Sequence, residues 1–417
     1  LNIRILGGAH EIGGNCVELE SGGARLLLDL GRPLSAAPDD DVPLPPVAGL
    51  DTGDDPDLLG IVISHGHLDH YGLLERAHPD VPVFMGEAAA RILAEAAFFL
   101  RNPLVPRPTG FLQDGVPLDI SPFRVTPWLV DHSAFDAYAL EVEAGGQRLF
   151  YTGDLRGHGR KASLFQRLLV KPPRDIDVLL AEATNVRDSD APPTPIWTEE
   201  VIEQRFVEAF RATSGLALVA FSVQNIDRLV TLYRAARRAD RELVVDLYAA
   251  TVARATGHAN IPQPPGVGPS FDHYRVFVPL HQRLRVKEQE EFDRVNWIRD
   301  VRLFPKELAA NPNRFVMLFR GSMICDLRHL AKLPGPGLAG ARAWWSLWKG
   351  YLEQPAGLRL RTDLDGLGIP LDVIHTSGHA SVEDLRRLAQ AINAREVIYL
   401  HTEHPDAAKG IAVNPRD

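Results

Sequence analysis

The chain of 417 residues is 45% hydrophobic and 24% charged, with 45 Lys+Arg against 54 Asp+Glu and a formal net charge of −9. That composition is ordinary for a folded globular protein and excludes a disordered or fibrous chain. The acidic balance excludes bulk electrostatic attraction as a route to nucleic acid, while leaving a local basic groove open.

At roughly 100–200 residues per domain, two to three domains are expected. No window approaches the ~18 uncharged apolar residues of a membrane span. Leu1–Leu6 lacks the basic flank and cleavage site of a secretory leader. Cys16 and Cys325 are the only cysteines, which excludes a disulfide framework and points to a cytoplasmic protein.

Residues 2–6 alternate like a first strand and run into Gly7, Gly8, Gly13 and Gly14. Strands follow over 16–20 and 25–29, then a long Pro/Asp/Gly loop over 33–57. Its Asp39-Asp40-Asp41 run reads as solvation. The apolar strand 58–64 ends in Ser64-His65-Gly66-His67-Leu68-Asp69-His70. Strands are expected over 81–85, 124–130, 138–143, 149–152 and 178–181, with a helix over 87–100. The rhythm then changes to βαβ, with helices at 199–211 and 225–239 and strands at 216–221, 243–247 and 315–319. Residues 257–270 read as a loop. The C-terminus gives a strand at 373–375, a helix at 381–394 and a strand at 397–400.

Four potential ligands lie within six residues in His65-x-His67-x-Asp69-His70. Alternate residues leaving a strand point the same way, so His65 and His67 can share one ion. Asp69 and His70 are then displaced toward a second. Imidazole and carboxylate are the ligands that suit Zn²⁺ where Cys is absent.

This run resembles the signature of the metallo-β-lactamase superfamily, which implies an α/β fold, the four-layer αβ/βα sandwich, with a two-metal site. Three further motifs follow the family order: Asp29 after Leu26-Leu27-Leu28, His132 in Asp131-His132-Ser133, and Asp154 in Thr152-Gly153-Asp154. The second half resembles the β-CASP nucleases, in which an α/β domain is inserted into that fold. Glu182 in Leu180-Ala181-Glu182-Ala183-Thr184-Asn185, His379 in Ser377-Gly378-His379-Ala380, and His401 in Tyr399-Leu400-His401 match their three extra motifs. His404 competes with His401. Gly7–Asn15 and Ala220-Phe221-Ser222…Asn225–Arg228 are similar to ribonuclease J. Two departures stand out. The chain stops soon after His401, and a phosphate-binding Ser/Gly loop is matched only loosely, by Arg320-Gly321-Ser322.

The resemblance implies a core over residues 1–183 and 371–417 with a β-CASP domain inserted over 184–370. It implies one divalent ion on His65, His67 and His132, a second on Asp69, His70 and His401, and Asp154 bridging them. Zn²⁺ is expected, with Mn²⁺ open. Asp29 would support the ligands from behind. The implied reaction is phosphodiester hydrolysis by a metal-activated hydroxide, with Asp69, Asp154, Glu182 and His379 as the catalytic set. His379 would be the general acid, oriented by Glu182. Single-stranded RNA is the expected substrate, in a cleft between the domains, with no membrane partner and homo-oligomerisation open. DNA, or a small thioester, lactam or phosphate ester, is the alternative. A metal-free binding protein fits poorly, since every expected ligand is present.

Other residues keep two readings. His10 is structural in a glycine turn, or supports the site. Arg156, His158, Arg160 and Lys161 touch phosphate or form a solvated loop. Trp344, Trp345, Trp348 and Tyr351 form a helix face packed on a core, or stack on bases. Arg234, Arg237, Arg238 and Arg241 read as a solvated helix face.

Overall fold

Leu26, Leu27 and Leu28 are all fully buried, yet they serve two different cores. Leu26 and Leu28 pack with Leu140, Leu149 and Tyr151, whereas Leu27 packs with Ile61, Met85 and Leu93. Successive strand residues point to opposite faces, so an uninterrupted apolar strand must be covered on both. A computed structural model shows how, and describes residues 1–37, 39–101, 103–187, 196–264 and 271–411.

Two six-stranded sheets face each other across the first of these cores. One runs in the order Asn2–Gly7, Cys16–Ser21, Ala24–Leu28, Leu58–Val62, Val83–Gly86, Gly110–Leu112. The other runs Glu396–Leu400, Val178–Glu182, Gln147–Tyr151, Tyr138–Ala144, Phe123–Leu129, Leu118–Ile120. The helix Glu87–Ala97 covers the outer face of the first sheet through Ala89, Ala90 and Leu93. The helices Ala162–Val170 and Val382–Ile392 cover the second through Phe165, Leu168, Leu385 and Leu388. This is the expected αβ/βα sandwich. Ser381 caps the last of these helices by accepting from the Asp384 N–H at 3.0 Å, which contributes about 1 kcal/mol.

The chain divides into two compact units, Leu1–Ile196 with Gly378–Asp417, and Trp197–Ser377. The second unit is built on seven parallel strands in the order Arg302–Leu303, Tyr274–Phe277, Glu242–Asp246, Phe315–Leu318, Ala217–Ala220, Arg342–Trp345, Leu371–Val373. Its helices Glu199–Ala212 and Ile226–Arg238 start at the side-chain caps Thr198 and Asn225. Residues 371–377 were expected with the C-terminal part of the core, but Leu371–Val373 pairs with Arg342–Trp345 inside the second unit.

Two other expectations change. Trp344 and Trp345 lie in a strand, not on a helix, and both are buried there. Their spacing of three and four to Trp348 and Tyr351 is a strand followed by a turn of 3-10 helix over Lys349–Leu352. Arg241, read as solvated, is buried and donates to the Gly215 carbonyl at 2.9 Å. Residues 265–270 of the expected loop lie outside the described residues. Among the described residues no helix is long and apolar enough to cross a membrane.

Candidate metal centre

All the site motifs except that of His379 follow the carboxyl end of a strand in the first unit. Asp29 follows Ala24–Leu28, His65 follows Leu58–Val62, and Asp154 follows Gln147–Tyr151. Glu182 ends Val178–Glu182, and His401 follows Glu396–Leu400. Gln147–Tyr151, Val178–Glu182 and Glu396–Leu400 are mutually parallel, so their carboxyl ends share one edge. That edge is where α/β proteins gather ligands.

The backbone is specialised there. Asp29 and His401 have φ of 61° and 55°, a region that non-glycine residues enter only when the surroundings hold them. Hydrogen bonds do so: the Asp29 N–H donates to Val62 O at 2.9 Å and the His401 N–H to Gly8 O at 2.6 Å. Gly153 has φ of 51°, and a Cβ there would come 2.9 Å from Ser64 Cβ. Glycine thus lets the Thr152-Gly153-Asp154 turn close on the histidine run.

Two groups of side chains converge at this edge. His65, His67, His132 and Asp154 form one; Asp69, His70, Asp154 and His401 form the other. Within each group one ligand atom per residue lies within 4.8 Å of the others, and Asp154 belongs to both. His65 and His67 leave the strand in extended chain, whereas Asp69 and His70 sit on the one-turn helix Leu68–Tyr71. That turn is the physical reason the run splits between two groups. His67 Nδ1 lies 3.2 Å from both His65 Nε2 and His132 Nε2. His70 Nε2 lies 3.2 Å, and His401 Nε2 3.8 Å, from Asp154 Oδ2. His404 does not enter either group.

The far nitrogens are committed elsewhere. Asp29 accepts from the Ser64 N–H at 2.7 Å, the Ser64 hydroxyl at 2.8 Å, the Tyr151 hydroxyl at 2.6 Å and His70 Nδ1 at 2.7 Å. His132 Nδ1 donates to Gly378 O at 2.8 Å, and His401 Nδ1 lies 3.0 Å from Asn15 Oδ1. Each of these rings therefore turns Nε2 toward Asp154's side. Both Asp154 oxygens and the Nε2 atoms of His70 and His401 are buried without a hydrogen-bond partner among the described residues. Buried polar atoms so poorly satisfied are costly unless a cation pairs with the Asp154 carboxylate. The donor set, nitrogen with carboxylate oxygen, fits a divalent metal.

The electrostatics agree. Burial holds His65, His132 and His67 below the usual imidazole range, and His401 down at about 4. Neutral imidazole is the form that binds metal. His70 is the exception: against the pull of burial, the Asp154 and Asp29 carboxylates raise it well above that range. Burial pushes the Glu182 carboxyl up.

His379 stands at the edge of the cluster. Its Nδ1 lies 3.1 Å from Thr184 Oγ1, 3.6 Å from Asp154 Oδ2 and 3.8 Å from Glu182 Oε2. Its side chain is 21% exposed, against 0–1% for His65, His70 and His401. Glu182 accepts from the backbone N–H groups of Thr184 at 2.9 Å and Ala380 at 2.7 Å. Asn185 Nδ2 donates to the carbonyls of His379 and Ala380. Gly378 is needed because a Cβ there would lie 2.8 Å from Ser133 Oγ.

The sequence reading passed over Asn15, Ser64, Tyr151, Thr184 and the Gly378 carbonyl. Asn15 and Thr184 stood inside quoted motifs, but neither is a ligand type. Two of its phosphate candidates belong elsewhere: Arg156 is fully buried against Asp131 at 3.5 Å, and His158 is buried. Lys161 Nζ donates to His132 O at 3.0 Å, so the basic loop braces the site from within. His10 is exposed and outside both groups.

Residues 36–230 match the family model of the beta-lactamase superfamily domain. The chain is 28% identical over 249 residues to ribonuclease J of Mycobacterium tuberculosis, covering 57% of this chain and 42% of that protein. It is 23% identical over 436 residues to ribonuclease J of Pyrococcus abyssi, covering 97% and 90%. The match thus spans less than half the length of the mycobacterial relative and most of the archaeal one. A solved structure of a protein of unknown function from Enterococcus faecalis V583 superposes with a TM-score of 0.75 at 18% identity, over 99% of this chain and 96% of that one. Fold, ordered motifs and relatives agree: residues 36–230 match the beta-lactamase superfamily domain, and over most of its length the chain is similar to ribonuclease J, a β-CASP protein.

Proposed function

We propose that the protein is a metal-dependent phosphodiester hydrolase, a ribonuclease acting on single-stranded RNA. The observation that carries this reading is Asp154, shared by two ligand groups and 3.6 Å from His379 Nδ1. A thioester leaves as a thiolate that needs little protonation, whereas the alkoxide leaving group of a phosphodiester gains from a general acid beside the metal centre. The ribonuclease J relatives favour RNA.

His65, His67, His132 and Asp154 would hold one cation, and Asp69, His70, His401 and Asp154 a second. The ligand types favour Zn²⁺ and accept Mn²⁺. Divalent cations held there supply Lewis acidity toward a phosphoryl oxygen and make water more acidic. The protein does the rest. Asp29, Asn15 and Gly378 fix the ring orientations from behind. His379 donates the proton to the leaving 3′-oxygen from Nε2, the nitrogen not facing Asp154 and Glu182. Glu182 positions it by gripping Thr184 and Ala380 on either side. Cys16 and Cys325 are free thiols, which fits a cytoplasmic location.

The test is matched cleavage of end-labelled single-stranded RNA and DNA of one sequence, with Zn²⁺ or Mn²⁺. RNA cleavage supports the reading, and the product ladder separates exonuclease from endonuclease. Cleavage of DNA alone reassigns the substrate. No cleavage of either strand by metal-loaded protein rejects a nuclease.

A further inference from the structure

Trp348 is 57% exposed, although the loop that carries it is anchored in a buried polar network of the second unit. The loop leaves the carboxyl end of the strand Arg342–Trp345. Ser346 is pinned three ways. Its N–H donates to Ala220 O at 2.8 Å, its hydroxyl donates to Ile374 O at 2.6 Å, and Arg228 donates to its side chain. Arg228 is fully buried and pairs with Glu199 at 2.9 Å, which Thr231 also binds at 2.7 Å. The Trp345 indole N–H then donates to Trp348 O at 3.1 Å.

The exposed ring has packing partners of its own. It lies against Gly350, where a Cβ would come 2.3 Å from indole Cη2. Tyr351, 39% exposed, meets it edge-on with centroids 5.3 Å apart. Lys349, between them in sequence, is exposed. An indole packed against its neighbours gives up less rotamer entropy on binding, so a partner keeps more of the stacking energy. A flat, exposed π-face complements a nucleobase, and an exposed lysine next to it in sequence adds the charge a phosphate needs. Ile374, to which this loop is tied, lies five residues before His379 in the chain.

We propose that Trp348, with Lys349 and Tyr351, is a stacking subsite for an unpaired nucleobase of the single-stranded substrate. This rests on the nuclease reading for its purpose, but it is tested by binding alone.

The full chain carrying His379→Ala, to suppress cleavage, is loaded with Zn²⁺ and titrated into fluorescein-labelled oligouridylate. Trp348→Ala weakens binding about tenfold, Trp348→Leu does the same, and Trp348→Phe retains most of the affinity. An abasic oligomer of equal length binds all variants alike. Circular dichroism melts establish that each variant is folded. Unchanged affinity in Trp348→Ala, or an equal loss for the abasic oligomer, overturns the proposal. So does a dimer that dissociates on Trp348→Ala with RNA affinity intact, which would assign the ring to a second copy of the chain. If the wild-type protein cleaves no nucleic acid, the nuclease reading fails while this comparison still decides the subsite.

Discussion

The His70 imidazole bridges two carboxylates: Nδ1 lies 2.7 Å from Asp29 Oδ2, and Nε2 lies 3.2 Å from Asp154 Oδ2. Asp29 therefore decides how this ring meets a cation without touching the cation itself. Replacing Asp29 with Asn puts a donor where an acceptor is needed for His70, Ser64 or Tyr151. Loss of such a support typically costs 10–100-fold in metal affinity, or about 1.4–2.7 kcal/mol. Asp29→Asn should weaken one metal position by about that factor in a chelator competition. Unaltered affinity at both positions would refute the supporting role.

The same ring makes metal uptake depend on pH. Its two carboxylate neighbours raise its pKa well above the ordinary value, so metal-stripped protein carries a proton there at neutral pH. Burial keeps the rings of His65, His132, His67 and His401 neutral by contrast. A cation must displace the His70 proton, so affinity at that position falls as pH falls. Calorimetric Zn²⁺ titrations in buffers of different ionisation enthalpy should report proton release from His70 at neutral pH. His70→Ala should abolish it.

His379→Ala should leave both metals bound and lower cleavage by about 10²–10⁴-fold, the usual worth of a general acid. Metal analysis beside the RNA assay checks this. Loss of metal in that variant would make His379 a ligand instead.

His401 and His404 are separated by the same pair of measurements. His401→Ala should lose occupancy at one position, because its Nε2 lies 3.6 Å from Asp69 Oδ2 inside a ligand group. His404→Ala should keep both metals. The opposite result would move the assignment to His404.

Arg156→Ala should act on stability and not on substrate affinity. The guanidinium is fully buried against Asp131, the residue beside His132. Removing one partner of a buried pair typically costs about 3–5 kcal/mol. A lowered melting temperature with an unchanged KM for RNA is the expected pattern; a raised KM with normal stability would restore the phosphate contact.

The residues that gather at the candidate metal centre were readable in the one-dimensional chain because metal chemistry restricts such groups to a few residue types. His65, His67, Asp69 and His70 also lie within six residues, and the others each follow an apolar strand. The uninterrupted apolar run Leu26-Leu27-Leu28 likewise calls for a sheet covered on both faces. Asp29 apart, the supports were not readable, because they join residues far apart in sequence and use ordinary polar types. Asn15 meets His401 across 386 positions and Thr184 meets His379 across 195. Arg156 looked like a phosphate ligand because charge alone does not say which residue is buried, and Trp344 looked helical because spacing alone does not distinguish a helix from a strand and a turn. Composition and local pattern thus determined which atoms can bind a cation; only the packing of strand ends from distant parts of the chain decided which nitrogen each histidine presents.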